Sequence, residues 1–271
     1  MTAQRWTQTA GRQTGLGRLL PLGGPRDGAW IAEGAAVSAL RHALDGTRGV
    51  RLGALRIVLA DPEDGGTSHA VEAVGEYETA VPPPPGALPL GPLRIGAEFA
   101  VVVVPTAPDA EPLPTTAARL RFVLAMAAAE RLGLTVTEVD LHVTGLLDEE
   151  PAAVRSPAPP PSAERDPALG PDESAVASAV RPVPGVVRLM GAFGGLGRAV
   201  HIEERQDEAA LPRRHVRVEV AVAADRRAVD VARAVRGAVT EALLDHPSVA
   251  VLVTAVVAQG LPLGSGPATP S

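Results

Sequence analysis

A proline-dense stretch between Asp148 and Ser174 constrains this chain more than any other feature. Pro151, Pro157, Pro159, Pro160, Pro161, Pro167 and Pro171 are mixed there with Ala and charge, and no hydrophobic period survives. Proline removes a backbone donor and fixes φ, so neither a helix nor a ladder runs through such a segment; residues 148–173 read as an extended, semi-rigid linker. Folding must then happen on either side of it. Residues 30–147 and 174–258 are accordingly read as two units, with a flexible arm at 1–29 and a disordered tail at 259–271. A cut near Pro159 is expected to leave two fragments that each fold.

The second unit is the clearer one. Ser174–Val180 reads as a short helix closed by Pro182 and Pro184, followed by the apolar run Gly185–Met190, a glycine-rich turn at Gly191–Gly197 and a strand at Ala199–Glu204. Val216, Val218, Val220 and Val222 alternate with Arg217, Glu219 and Ala221, the period of a strand with one buried face. Asp225 is placed to cap the next helix, in which Ala228, Val231, Ala232, Val235, Ala238, Val239, Ala242 and Leu243 recur at three- and four-residue steps. Pro247 ends that helix, and Val249–Val257 is a β-branched closing strand.

The first unit repeats this order with longer connections. A helix is expected over Ile31–Leu44, then Gly49–Leu52 and a strand at Leu55–Ala60, with further strands at Ala70–Thr79 and Leu93–Val104. Pro82–Pro85 cannot continue either element and reads as an exposed loop. Thr115 or Thr116 begins a long helix that buries Leu120, Val123, Leu124, Ala127 and Ala128, with Gly133 past its end. The closing strand sets Val139, Leu141 and Val143 against Asp140, His142 and Thr144. The fold class is α+β: two similar α-β-β-(β)-α-β units, each a small sheet with helices packed on one face.

Composition removes much chemistry. The 271 residues contain no Cys, which excludes disulfides, thiolate metal clusters and a cysteine nucleophile, and every one of the 25 basic residues is Arg, which excludes Schiff-base lysine chemistry. A net charge of −6 opposes general polyanion binding, and six aromatic residues, none clustered, offer no stacking platform for nucleic acid. The apolar runs Phe99–Val104 and Val249–Ala258 are shorter than the roughly 20 residues a membrane helix needs. Pro21 interrupts Leu19, Leu20 and Leu22, so no signal-peptide core forms, and a cytoplasmic location is expected. Gly15–Leu22 reads as a loose tail or a docking peptide.

Candidate sites are few. Gly191–Gly197 has neither the spacing of a dinucleotide loop nor a following helix, and reads as a turn. His42, His69, His142, His201, His215 and His246 show no metal-ligand spacing and would have to converge in space with Glu203 or Glu204. No Ser sits in a nucleophile-elbow motif, and Asp148–Glu150 reads as solvated charge. No catalytic residue, cofactor site or metal site is assigned. Arg213, Arg214, Arg217, Arg226, Arg227 and Arg233, with Arg236 nearby, form the densest positive group; they read either as a charged face offset by Glu219, Asp230 and Glu241 or as a surface for an acidic partner or anionic lipid headgroups.

The order of elements, carried by Pro184–Leu189, Gly191–Gly197, Val216–Val222, Val231–Val239 and Val249–Val257, resembles the alkaline shock, or envelope stress response, family of Gram-positive bacteria. Gly49–Leu52 and Val139–Gly145 are similar in the first half, so the chain looks like a tandem, divergent actinobacterial version. The departures are the long 61–92 insertion and the missing glycine-rich turn in that half. Chains of this build are also similar in composition to a fibrous nucleopolyhedrovirus protein, which would imply a coiled coil; no heptad runs through several repeats here. The alkaline-shock resemblance implies a non-enzymatic protein that self-associates and docks to membrane-anchored or sibling proteins at the inner face of the membrane. The alternative is a small-molecule-binding protein or enzyme using a cleft between the units. Single-strand RNA binding stands third, for want of aromatic residues.

Overall fold

The computed structural model describes residues 18–60, 81–102, 111–147, 170–191, 198–205 and 213–258. Its elements are β1 (Leu19–Pro21), β2 (Ala29–Ala32), α1 (Glu33–Leu44), β3 (Val50–Leu59), β4 (Leu93–Val102), α2 (Leu113–Met126), β5 (Val136–Leu147), α3 (Pro171–Val180), β6 (Val186–Leu189), β7 (Val200–Arg205), β8 (Arg213–Ala223), α4 (Ala228–Ala242) and β9 (Ser248–Val257). The class is α+β. The helices pack against two sheets: a three-stranded one in the order β3-β4-β5 and a six-stranded one in the order β1-β2-β9-β8-β6, with β7 also on β8.

The two sheets are wired alike. β3 is antiparallel to β4 and β4 parallel to β5; β6 and β7 are antiparallel to β8 and β8 parallel to β9. The β4–β5 and β8–β9 pairs both shift register at a threonine late in the strand, and β4–β5 shifts also at Thr137, between Leu93/Val136 and Arg94/Glu138. Thr144 is skipped between Phe99/Val143 and Ala100/Gly145, and Thr254 between Val220/Val253 and Ala221/Ala255. The Thr144 hydroxyl donates to the Phe99 carbonyl and the Thr254 hydroxyl to the Val220 carbonyl, both at 3.3 Å. A bulge leaves a backbone group unpaired, and a β-branched residue with a hydroxyl fits the strand while supplying a bond there. Gly49 and Gly185 also match, each with positive φ and each offering its carbonyl to the far end of the paired strand, at Val102 and Ala223.

β6 and β7 are one edge strand interrupted. Leu189 pairs with Val220 and Val200 with Val218, so the chain leaves the edge opposite Glu219 and returns there. Val216, Val218, Val220 and Val222 are fully buried, as the period of two predicts. In α4 the buried stripe is Ala228, Val229, Val231, Ala232, Val235 and Val239. Asp225 does not cap this helix: Arg227 is the N-cap residue, without a side-chain bond, because residues 224–226 are spent on the turn out of β8.

The arm at 1–29 needs correction. Leu19–Pro21 and Ala29–Ala32 form a hairpin whose second strand lies parallel to β9, with Trp30 opposite Leu252 and Ile31 opposite Val253. Leu20, Leu22, Trp30 and Ile31 are buried. Pro21 is tolerated because β1 is an edge strand. The hairpin tip is clipped to α4, where Arg233 reaches both carboxylate oxygens of Asp27 at 2.8 and 2.9 Å. Those bonds hold the Asp27 carboxyl below its ordinary range. The first helix consequently starts at Glu33 rather than Ile31, and α3 starts at Pro171 rather than Ser174. The proposed strand at Ala70–Thr79, most of the linker, Gly15–Gly17 and the tail lie outside the described residues.

The two halves share one core. α1 packs on both β9 and β3, its Ala35, Ala36 and Ala39 allowing close approach on either side. Gly133 is the tightest junction. It ends the long helix, whose last turn, Ala127–Leu132, is π-helical, in a left-handed conformation, and a Cβ there would stand 2.4 Å from Val229 of α4. Its carbonyl accepts the Gly23 N–H of the hairpin at 3.2 Å. Only glycine meets both demands.

Candidate functional site

The six arginines close in sequence are parted in space. β8 has Arg213 and Arg214 at one end and the turn carrying Arg226 and Arg227 at the other, roughly 30 Å away at the rise of an extended strand. Arg214 lies 2.7 Å from Asp172 and 3.4 Å from Asp245. Arg217 points to the opposite face, Arg227 donates to the Ala129 carbonyl at 3.1 Å, and Arg233 binds Asp27 and Asp230. The Arg213 side chain lies outside the described residues. A single continuous basic patch is therefore not what these residues make.

The polar face of the large sheet is more unusual. Strand alternation predicts Arg217 and Glu219 in solvent, yet Glu219 is 1% exposed. β8 is a central strand covered on both faces at this point. The sign of it in the sequence is the next strand: Val249–Val253 is apolar at every position, as in a strand buried on two sides. Burial pushes the Glu219 carboxyl up to about 7, against the pull of Arg217, whose Nε stands 3.6 Å from Oε1. Glu219 Oε2, Arg217 Nε and Arg188 Nε are the buried side-chain polar atoms without a hydrogen-bond partner among the described residues. Register puts all three on one face, since Arg188 pairs with Ala221.

Beside them, His201, Glu203, His215 and Arg217 line a cavity of about 60 Å³ under Pro83, Pro84 and Pro85. That volume is large enough to admit water. The proline segment is thus not simply an exposed loop, for Pro84 is buried. Burial, then the Arg217 charge, lowers the His201 pKa. His215 bonds the Ser248 hydroxyl at 2.9 Å. Two histidines and Glu203 do come together here, but no group of three or more His, Asp or Glu among the described residues is arranged to hold a metal ion. His42 bonds Asp45, His142 is exposed on β5 and His246 sits in a turn with φ 46°.

Glu219 makes stability depend on pH. Its folded pKa lies above the ordinary 4.5, so the folded state binds the extra proton, and stability is highest below 4.5 and falls as pH rises to about 7. The full loss is about 3 kcal/mol. Glu219→Gln should match the parent at pH 4.5 and exceed it by about 2 to 3 kcal/mol at pH 8 in urea denaturation. An unchanged pH slope in the variant would remove Glu219 as the source.

The second distinctive surface is an edge. β5 ends the small sheet and has no partner strand on its outer side among the described residues. None of its twelve residues is buried. Val143 is 36% and Leu146 67% exposed, and on adjoining α2 Phe122 is 66% exposed. β9, wired in the same way, has its outer edge covered by β2. An open groove of about 200 Å³ between α1 and α2, lined by Ala43, Phe122, Val123, Met126 and Ala127, lies near this side. Buried side chains of both halves belong to one cluster, where the alternative reading placed a cleft.

Fold and surface together define a two-sheet α+β protein in which the outer edge of β5 carries no strand among the described residues. No protein-family model matches the chain, and no curated protein matches it. No helix among the described residues is long and apolar enough to cross a membrane.

Proposed function

We propose that this chain is a non-enzymatic interaction protein that binds by adding a partner's strand to the open edge of β5. The observation that supports this reading is the outer edge of twelve-residue β5, which has no partner strand among the described residues, in a molecule whose similarly wired β9 is paired on both sides. An exposed edge presents a row of unpaired N–H and C=O groups, which gives affinity, while flanking side chains give choice of partner. The alkaline-shock resemblance points the same way, toward a cytoplasmic protein docking to others at the inner face of the membrane. A cavity of about 60 Å³ and an open groove supply no comparable support for a substrate site.

The test is affinity capture from the native host, with membrane and soluble fractions kept apart, comparing the parent chain with Val143→Lys/Leu146→Lys. Lysine on an edge blocks strand addition without disturbing buried contacts. The parent should retain proteins that the double variant loses, at unchanged melting temperature. Identical captured sets would overturn the reading.

A further inference from the structure

Resting on that strand-addition reading, we infer that the strand added to β5 is the β5 of a second copy, running antiparallel with Leu141 facing Leu141 on a two-fold axis. A two-fold interface must be self-complementary, each residue meeting its reciprocal. The regular part of β5 runs from Glu138 to Val143, bounded by the register shifts at Leu93/Arg94 and Phe99/Ala100. Only registers centred within it keep a clean ladder.

The pleat narrows these further. Residues directly opposite across antiparallel strands lie on the same face, so Val139, Leu141 and Val143, on the helix side, must meet one another, and Asp140 and His142 must meet on the polar side. Centring on Asp140 sets carboxylate against carboxylate, and centring on His142 sets ring against ring, leaving Asp140 opposite Thr144. Centring on Leu141 places Asp140 opposite the second copy's His142 and Val139 opposite its Val143, each twice. Opposite charge or hydrogen-bonding pairs and apolar pairs at facing positions are the stabilising combinations in a sheet.

Neighbouring groups agree with that register. Arg94 on β4 stands 3.6 Å from Asp140 and 3.8 Å from Glu138, so the acids are already balanced on their inner side. His142 is paired across β4 with Glu98. Arg121 of α2 donates to the Val139 carbonyl at 3.3 Å, and that oxygen keeps a second lone pair for a ladder bond. The product is a continuous six-stranded sheet, β3-β4-β5 of one copy followed by β5-β4-β3 of the other, with helices on the same side.

Sedimentation equilibrium of the purified full-length chain over a range of concentrations tests this. The parent should dimerise. His142→Asp, which puts acid opposite Asp140 twice, should weaken the dimer about tenfold, and Asp140→His/His142→Asp should restore it to within about threefold, because the exchanged pair recreates the match. Thermal melts separate these effects from misfolding. A parent that stays monomeric at every concentration, or a double variant as weak as the single one, overturns the second-copy assignment. If the parent is monomeric while Val143→Lys/Leu146→Lys still loses captured proteins, strand addition stands with another partner; if capture is also unchanged, both readings fall.

Discussion

Val218→Asp is expected to cost about 4 kcal/mol or more, a large share of the roughly 5 to 15 kcal/mol that keeps a domain folded. Val218 is fully buried at the centre of the large sheet, paired with Val200 on β7 and Val251 on β9. A carboxylate there meets only apolar groups, since the neighbouring Arg217 and Glu219 project to the other face. It must either shed its charge or drag water into the core, and both are costly. Val187→Asp, at a position 41% exposed, is the control and should shift stability by less than about 0.5 kcal/mol. Urea denaturation followed by circular dichroism gives both values. An unchanged midpoint for Val218→Asp would mean that the valine face of β8 is not the buried one.

Residues 170–258 alone should fail to fold, whereas a chain nicked between residues 148 and 169 should remain one particle. This reverses the expectation of two independent units. The fragment lacks β2, so β9 becomes a bare edge, and Leu20, Leu22, Trp30 and Ile31 no longer cover it. Each such side chain contributes about 1.5 to 3 kcal/mol when buried, and four of them together approach the whole stability of an ordinary domain. Arg233 also loses Asp27, and Val229 loses the close contact with Gly133. Far-ultraviolet circular dichroism of the fragment should show random coil or an aggregate, and the nicked chain should elute as a single species in size-exclusion chromatography. A cooperative melt of the fragment would show that the shared core is dispensable.

These two experiments mark where local reading succeeds and where it stops. β8, β9, α4 and the long helix before Gly133 are legible because their periods of two and 3.6 come from one element meeting one surface. The α+β class follows from their order. Leu19–Pro21 carries no period at all; three residues broken by a proline become a strand only because β2 supplies a partner. Glu219 is misread for the same reason. Its alternation with valine is the mark of a half-exposed strand, and the cover on its second face comes from elsewhere in the chain.

The candidate surface divides likewise. His142, Asp140, Val139 and Val143 are visible as an alternating strand, and their mutual complementarity about Leu141 is written in that order of residues. That the outer edge of β5 carries no strand among the described residues, while β9 of the same wiring is sealed by the N-terminal hairpin, cannot be read from either strand. Likewise, the run of arginines around β8 looks like one patch in sequence because the chain is short there, and an extended strand then carries its two ends far apart. By itself the sequence determined the elements and the faces they bury, since burial of apolar side chains is a local period imposed on the backbone. Tertiary structure alone decided which edges are closed, which acid is dry and that two halves share one core, because those depend on contacts between segments that sequence distance does not order.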